Sequence, residues 1–149
     1  MNFIIHTDGG ARGNPGPAAV GISVERVEDA GQTGKEIIGF GKTIGETTNN
    51  VAEYKAVIEA LLSMKDYLSR IGGERAEHHI KFYLDSTLVV NQLNGIFKIK
   101  DSHLRELVLH VRSLEQDVGG DITYHVVRRE FNRRADFFVN QALDNEEHL

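Results

Sequence analysis

"NNVAEYKAVIEALLSMKDYLSRIGG", residues 49–73, is where the chain changes its hydrophobic period. Tyr54, Val57, Ile58, Leu61, Met64 and Leu68 recur at three- and four-residue spacing, the stripe of a helix that buries one face. Gly72-Gly73 reads as its stop. Nothing upstream has this spacing. "NFIIHT" (2–7), "AVGISVERV" (19–27) and "KEIIGFGKTIG" (35–45) read as strands, and the polar "EDAGQTG" (28–34) as a hairpin loop. Three strands in an antiparallel meander, followed by a helix, permit a fourth strand to return beside the first and parallel to it. "IKFYLD" (80–85) supplies that strand.

Downstream, "STLVVNQLNG" (86–95) reads as a short helix with Ser86 near its start and Gly95 as its stop. "DSHLRELVLHVRSLEQDV" (101–118) carries Leu104, Leu107, Val108, Val111 and Leu114 on one helical face. "DITYHVVRR" (121–129) is a strand, and "NRRADFFVNQALDNEEHL" (132–149) a final helix with Asn132 as N-cap. The order β-β-β-α-β-α-α-β-α predicts an α/β protein, a mixed sheet covered by helices. No repeat or linker divides it, so 1–149 is expected to form a single domain.

The chain has no cysteine, which excludes disulfides, thiolate nucleophiles and Cys-based zinc sites. Nothing in it resembles a signal peptide or an apolar span of roughly 18 residues, and a cytoplasmic location is the expectation. The net charge of −5 argues mildly against a nucleic-acid partner. "RREFNRR" (128–134) runs the other way, four arginines against one glutamate. Such a cluster is either a solvated loop or a binding patch.

Four acids carry the chemical question. Singly, each has an ordinary explanation. Asp8 before Gly9-Gly10 suits a turn, Glu53 completes a capping box with Asn50, and Asp85 and Asp136 suit the first turns of helices. Together they are harder to explain away. Asp8 and Asp85 are expected at the C-terminal ends of neighbouring strands, the edge where open α/β sheets form ligand crevices. Glu53 shares a helix face with Val57 and Ala60, and a buried carboxylate is costly unless paired or metal-bound. Convergent acids without cysteine or a His-x-x-x-His helix favour hard cations, Mg²⁺ or Mn²⁺, over zinc.

"TDGGARGNPGPAAVG" (7–21), "TTNNVAEYKAVIEAL" (47–61), "LDSTLVVNQLNG" (84–95) and "REFNRRADFFVNQAL" (129–143) together resemble the signature segments of the ribonuclease HI family, in that family's order. The resemblance implies a ribonuclease H-like fold, a five-stranded mixed sheet of order 3-2-1-4-5. It implies that Asp8, Glu53, Asp85 and Asp136 are catalytic and hold metal: Mg²⁺, with Mn²⁺ as substitute, two ions when substrate is bound. Two such ions roughly 3.5–4 Å apart clamp a phosphodiester. The implied reaction is hydrolysis of the RNA strand of an RNA–DNA hybrid, leaving 5′-phosphate and 3′-hydroxyl ends, by a monomer. Rival readings are a hybrid-binding module that does not cut, and a nuclease of the same fold acting on duplex RNA or DNA junctions.

By the same resemblance Gly9 and Gly10 let backbone amides approach the RNA. Asn14, Thr48, Asn49 and Asn50 contact the nucleic acid, including a DNA phosphate, with Asn50 also capping its helix. Thr87 matches a groove-contacting position but is shorter than the usual residue there. Two departures mark a compact type. "NGIFKIKDSHLREL" (94–107) lacks the long basic protrusion of many bacterial members, and "VVRREFNRRAD" (126–136) lacks their loop histidine. Arg129 and Glu130 are candidates for assisting the chemistry instead. His125 is expected as an ordinary sheet residue, and His78, His79, His103 and His110 on the surface or on helix faces.

Overall fold

The computed structural model describes residues 1–28, 34–72 and 77–147. β1 (Asn2–Ala11), β2 (Gly16–Val27) and β3 (Lys35–Thr47) are followed by α1 (Asn49–Ile71), β4 (His79–Leu84), α2 (Thr87–Leu93), α3 (Ser102–Val118), β5 (Asp121–Val126) and α4 (Arg133–Glu147). The hairpin loop expected over 28–34 falls, for 29–33, outside the described residues, as does Gly73. The sheet order is β3-β2-β1-β4-β5, with β1 antiparallel to β2 and parallel to β4. β5 extends the sheet, parallel to β4.

The stripe on α1 is buried as its spacing predicts: Tyr54, Val57, Ile58, Leu61, Met64 and Leu68 pack with Phe3, Ile5, Ile22 and Phe82 of the sheet. On α3, Leu107, Val111 and Leu114 join this core, with Leu104 and Val108 packed at its margin. Full burial of such a side chain is worth about 1.5–3 kcal/mol relative to exposure. The helix α4 packs on the other face through a smaller cluster, Val139 and Leu143 against Ala19. No helix among the described residues is long and apolar enough to cross a membrane.

Four sequence expectations need correction. β1 does not stop at Asp8; pairing with β2 carries it through Gly9, Gly10 and Ala11, while its pairing with β4 ends at His6. β5 ends at Val126, and a 3₁₀ turn, Arg129–Phe131, replaces the expected strand end. The cap of α1 is Thr48, whose Oγ1 accepts from Val51 N at 3.3 Å, so Asn50 and Glu53 form no capping box. His78 is buried against the ring of Phe3 rather than on the surface.

Candidate active site

The end of β1 is pressed between helices on both faces of the sheet. Side chains alternate faces along a strand. Gly9 meets α1: a Cβ there would lie 2.2 Å from the carbonyl carbon and oxygen of Ala52. Packing alone therefore already demands a glycine at position 9. Gly10 faces α4 with Val139 Cγ1 at 3.8 Å, an ordinary contact, and borders the cleft. Directly across from Asp8 stands Gly21 of β2, where a Cβ would lie 2.0 Å from the carbonyl oxygen of Ala135. The absent side chain lets α4 settle on the sheet one residue before Asp136.

This packing brings together acids distant in the chain. One carboxylate oxygen each from Asp8, Glu53 and Asp85 lies within 4.8 Å of the others. Asp136, half-buried on the first turn of α4, stands outside that group of three but close enough for its charge to act on Asp8. Glu53 is buried; its Oε1 accepts from Gly9 N at 3.3 Å, while Oε2 is enclosed without any hydrogen-bond partner. Asp85 follows β4 directly, as the sequence suggests.

Such crowding disfavours ionisation. Burial, then the charge of Asp85, pushes the Asp8 carboxyl up to about 7, with the neighbouring Glu53 pulling it partly back. Burial and then Asp8 hold Glu53 well above the usual carboxylate range. Asp85 is raised by burial, with Arg129 and the neighbouring Asn132 opposing. Asp136 has an arginine partner at one edge, Arg129 Nη2 at 3.8 Å. An all-oxygen donor set, an unpartnered buried carboxylate oxygen and mutual repulsion fit a hard divalent cation, which would satisfy all three conditions.

A stability prediction follows from the signs. Asp8 in the folded protein holds its proton up to about pH 7, whereas an unfolded Asp releases it near its ordinary value of 3.8. The stability this protonation gives is present at low pH and lost as pH rises from about 4 through about 7. Asp8→Asn is therefore expected to melt several degrees above the wild type in chelator at pH 8, with the gap closing at pH 5. Magnesium should raise the wild-type melting temperature at pH 8 and do less for the variant. Thermal scans at the two pH values decide it; a gap independent of pH would contradict the buried-charge account.

An open cleft of about 780 Å³ surrounds the carboxylates. Asp8, Gly9, Gly10, Glu53, Asp85, Thr87, Arg129 and Asp136 all border it, with Asn49 and Asn50 on one wall. Glu130 does not border it, and lies 4.0 Å from Arg128 instead. Asn14 and Thr48 border a neighbouring hollow of about 530 Å³ that also includes Asn49, Asn50 and His103. Three of these four polar residues are partly committed. Asn14 Oδ1 accepts from Asn49 N at 3.0 Å, Asn49 Oδ1 accepts from Ala11 N at 2.9 Å, and Thr48 caps α1. Together they fasten the loop after β1 to the start of α1. Asn50 is exposed and makes no side-chain hydrogen bond among the described residues, which removes the capping half of its expected dual use.

Sequence reasoning missed two residues of this site. Asn132 is not a side-chain cap. It is fully buried and its Nδ2 donates to Thr7 O at 2.9 Å, so its amide ties β1 to the start of α4, close enough to Asp85 to favour that carboxylate's charge. Its position just before α4, where its backbone O accepts from Asp136 N, is what suggested a cap. Arg12 borders the cleft and pairs with Asp144 and Glu147, both at 2.7 Å, linking the loop after β1 to the far end of α4. Only the distance in sequence between these partners hid the link.

With fold and cleft defined, comparison with known proteins is decisive: residues 1–143 match the RNase H family. This chain belongs to the RNase H family. A ribonuclease HI of Halobacterium salinarum is 40% identical over 138 residues, covering 93% of this chain and 62% of that protein. A bifunctional protein of Mycobacterium tuberculosis is 35% identical over 145 residues, covering 97% of this chain and 36% of its own length. The chain thus spans about a third of that larger relative. The solved structure of LC11-RNase H1 in complex with an RNA/DNA hybrid superposes with a TM-score of 0.84 at 35% identity, covering 97% of this chain and 98% of that one. The sheet order and helix placement described above are those of the RNase H fold.

Proposed function

We propose that this RNase H chain is a divalent-cation-dependent endoribonuclease that hydrolyses the RNA strand of an RNA–DNA hybrid, leaving 5′-phosphate and 3′-hydroxyl ends. The observation that carries this reading is the convergence of Asp8, Glu53 and Asp85 oxygens within 4.8 Å, with Asp136 beside them, in an open cleft. The hybrid bound to a relative of the same fold supports the choice of substrate.

Asp8, Glu53, Asp85 and Asp136 would hold two magnesium ions, with manganese as a substitute. When bound, such ions activate water and stabilise the leaving 3′ oxygen. The protein's share is to gather the negative charge that attracts them and to keep it fixed. Glu53 is anchored by Gly9 N, and Asn132 beside Asp85 is itself fixed to Thr7 O. Arg129, exposed and only 3.8 Å from Asp136, can exchange that carboxylate for a phosphate oxygen, which makes it an auxiliary residue. Glu130, outside the cleft lining, takes no such role in this reading.

Selection of RNA rests on the 2′-hydroxyl, which only RNA presents in the wide minor groove of the hybrid. Gly10, Asn50 and Thr87 border the cleft with groups open to that contact. Asn14, Thr48 and Asn49 keep their remaining donors for the phosphates of the DNA strand in the adjoining hollow.

Side-by-side digestion of an RNA–DNA hybrid, duplex RNA and a four-way DNA junction, with Mg²⁺ and with excess chelator, tests the reading. Cutting of the hybrid's RNA strand alone, and only with metal, is the expected result. Junction cleavage would move the chain to another nuclease class, and hybrid binding without cutting would make it a recognition module.

A further inference from the structure

Four arginines fall between Arg128 and Arg134 in a chain whose net charge is −5. Their surroundings differ. Arg134 is held by Glu36 through Nε at 2.9 Å and Nη2 at 3.1 Å. Arg128 reaches Glu130 only at 4.0 Å, with 82% of its side chain exposed, and an exposed pair at that distance is weak. Arg133 has no ion-pair partner among the described residues.

Among these cations stands Phe131, 67% exposed. It closes the 3₁₀ turn, with its N–H donating to Arg128 O at 2.9 Å. Arg128, extended, leads into the turn, and Arg133 follows the ring by two residues. Leaving a phenylalanine in water forgoes the stabilisation that its burial would give. Phe138 on α4, by contrast, is buried.

A solvent-exposed ring with exposed arginines three residues before it and two after it offers two elements: a flat apolar face on which a base can stack, and nearby cations for phosphates. Inside a duplex each base face is covered by its neighbours, and apart from the end pairs only a nucleotide that has left the helix presents a free face to such a ring. The patch also continues the wall of the catalytic cleft, because Arg128 and Arg129 border that cleft.

We infer that Phe131, with Arg128 and Arg133, binds an unpaired nucleotide of the RNA strand where it extends beyond the hybrid held at the carboxylates. The inference rests on the nuclease reading above and adds a second contact to it. Single-stranded extensions thereby become part of what the protein recognises.

Fluorescence anisotropy with Ca²⁺ in place of Mg²⁺ tests this, using a blunt RNA–DNA hybrid and the same hybrid with its RNA strand extended by a few unpaired nucleotides. The wild type is expected to bind the extended form about tenfold more tightly than the blunt one, the scale of one stacked base. Phe131→Ala and Arg133→Gln should lose most of that preference with blunt-hybrid affinity unchanged, and Phe131→Tyr should keep it. Equal wild-type affinities, a preference that survives Phe131→Ala, or an equal fall on both hybrids would overturn the inference. Digestion of the blunt hybrid with Mg²⁺ separates the two layers. Cutting without a preference removes only the extension site, and no cutting removes the nuclease reading and this inference with it.

Discussion

Replacing Asp8 with Asn is expected to lower the rate of hybrid cleavage by ~10³-fold or more, ~4 kcal/mol of lost barrier reduction, in a protein that stays folded. The amide keeps the shape of the carboxylate but removes its negative charge and one of its two oxygens, where three carboxylates meet within 4.8 Å. Loss of activity with a gain in melting temperature at pH 8 would separate a functional charge from a structural one, since the same crowding that holds a cation destabilises the empty site. Asp136→Asn should be equally damaging, although Asp136 stands outside the group of three, because it alone approaches from α4. Single-turnover digestion of a hybrid measures both variants. Full activity in either, or undiminished cutting in excess chelator, would sink the metal-site reading.

Gly21→Ala is expected to cost about 3 kcal/mol of stability, the upper end of ordinary overpacking, because the added methyl meets backbone rather than a movable side chain. The carbonyl oxygen of Ala135 would lie 2.0 Å from it. To relieve the clash α4 must lift from the sheet, and Asp136 rides on the next residue. The variant should therefore lose cleavage along with stability. Gly10→Ala is the matched control: its nearest heavy atom is Val139 Cγ1 at 3.8 Å, and its stability should change by less than ~1 kcal/mol. Urea denaturation of the two variants makes the comparison. Similar stabilities would mean that α4 is not seated on Gly21 as described.

Much of this was legible from residues alone, for identifiable reasons. The α1 stripe and the α3 stripe announce themselves through periodicity, since one face of each helix must be apolar. Asp8, Glu53 and Asp85 are legible as a group because a strand end, a covered helix face and a second strand end each set an acid where an acid is expensive. Local signals failed where tertiary packing chose. Thr48 and Asn50 are both good caps, and nothing local prefers one; the choice follows the loop after β1, which Asn14 and Asn49 fasten to α1. The glycines invited a ligand-based explanation at Gly9, yet the neighbour that excludes a side chain there is Ala52, 43 positions further along the chain. Asn132 looked like a cap because its bond to Thr7 spans 125 residues, beyond any local rule.

The four acids are delivered by β1, α1, the residue after β4 and α4, with the last arriving only when the final helix docks on Gly21. On the proposed reading, a chain emerging during synthesis remains harmless to the RNA around it until nearly all of the domain has been made. Reactivity then switches on as a single event, so recovery of cleavage after refolding would report completed assembly rather than any intermediate stage.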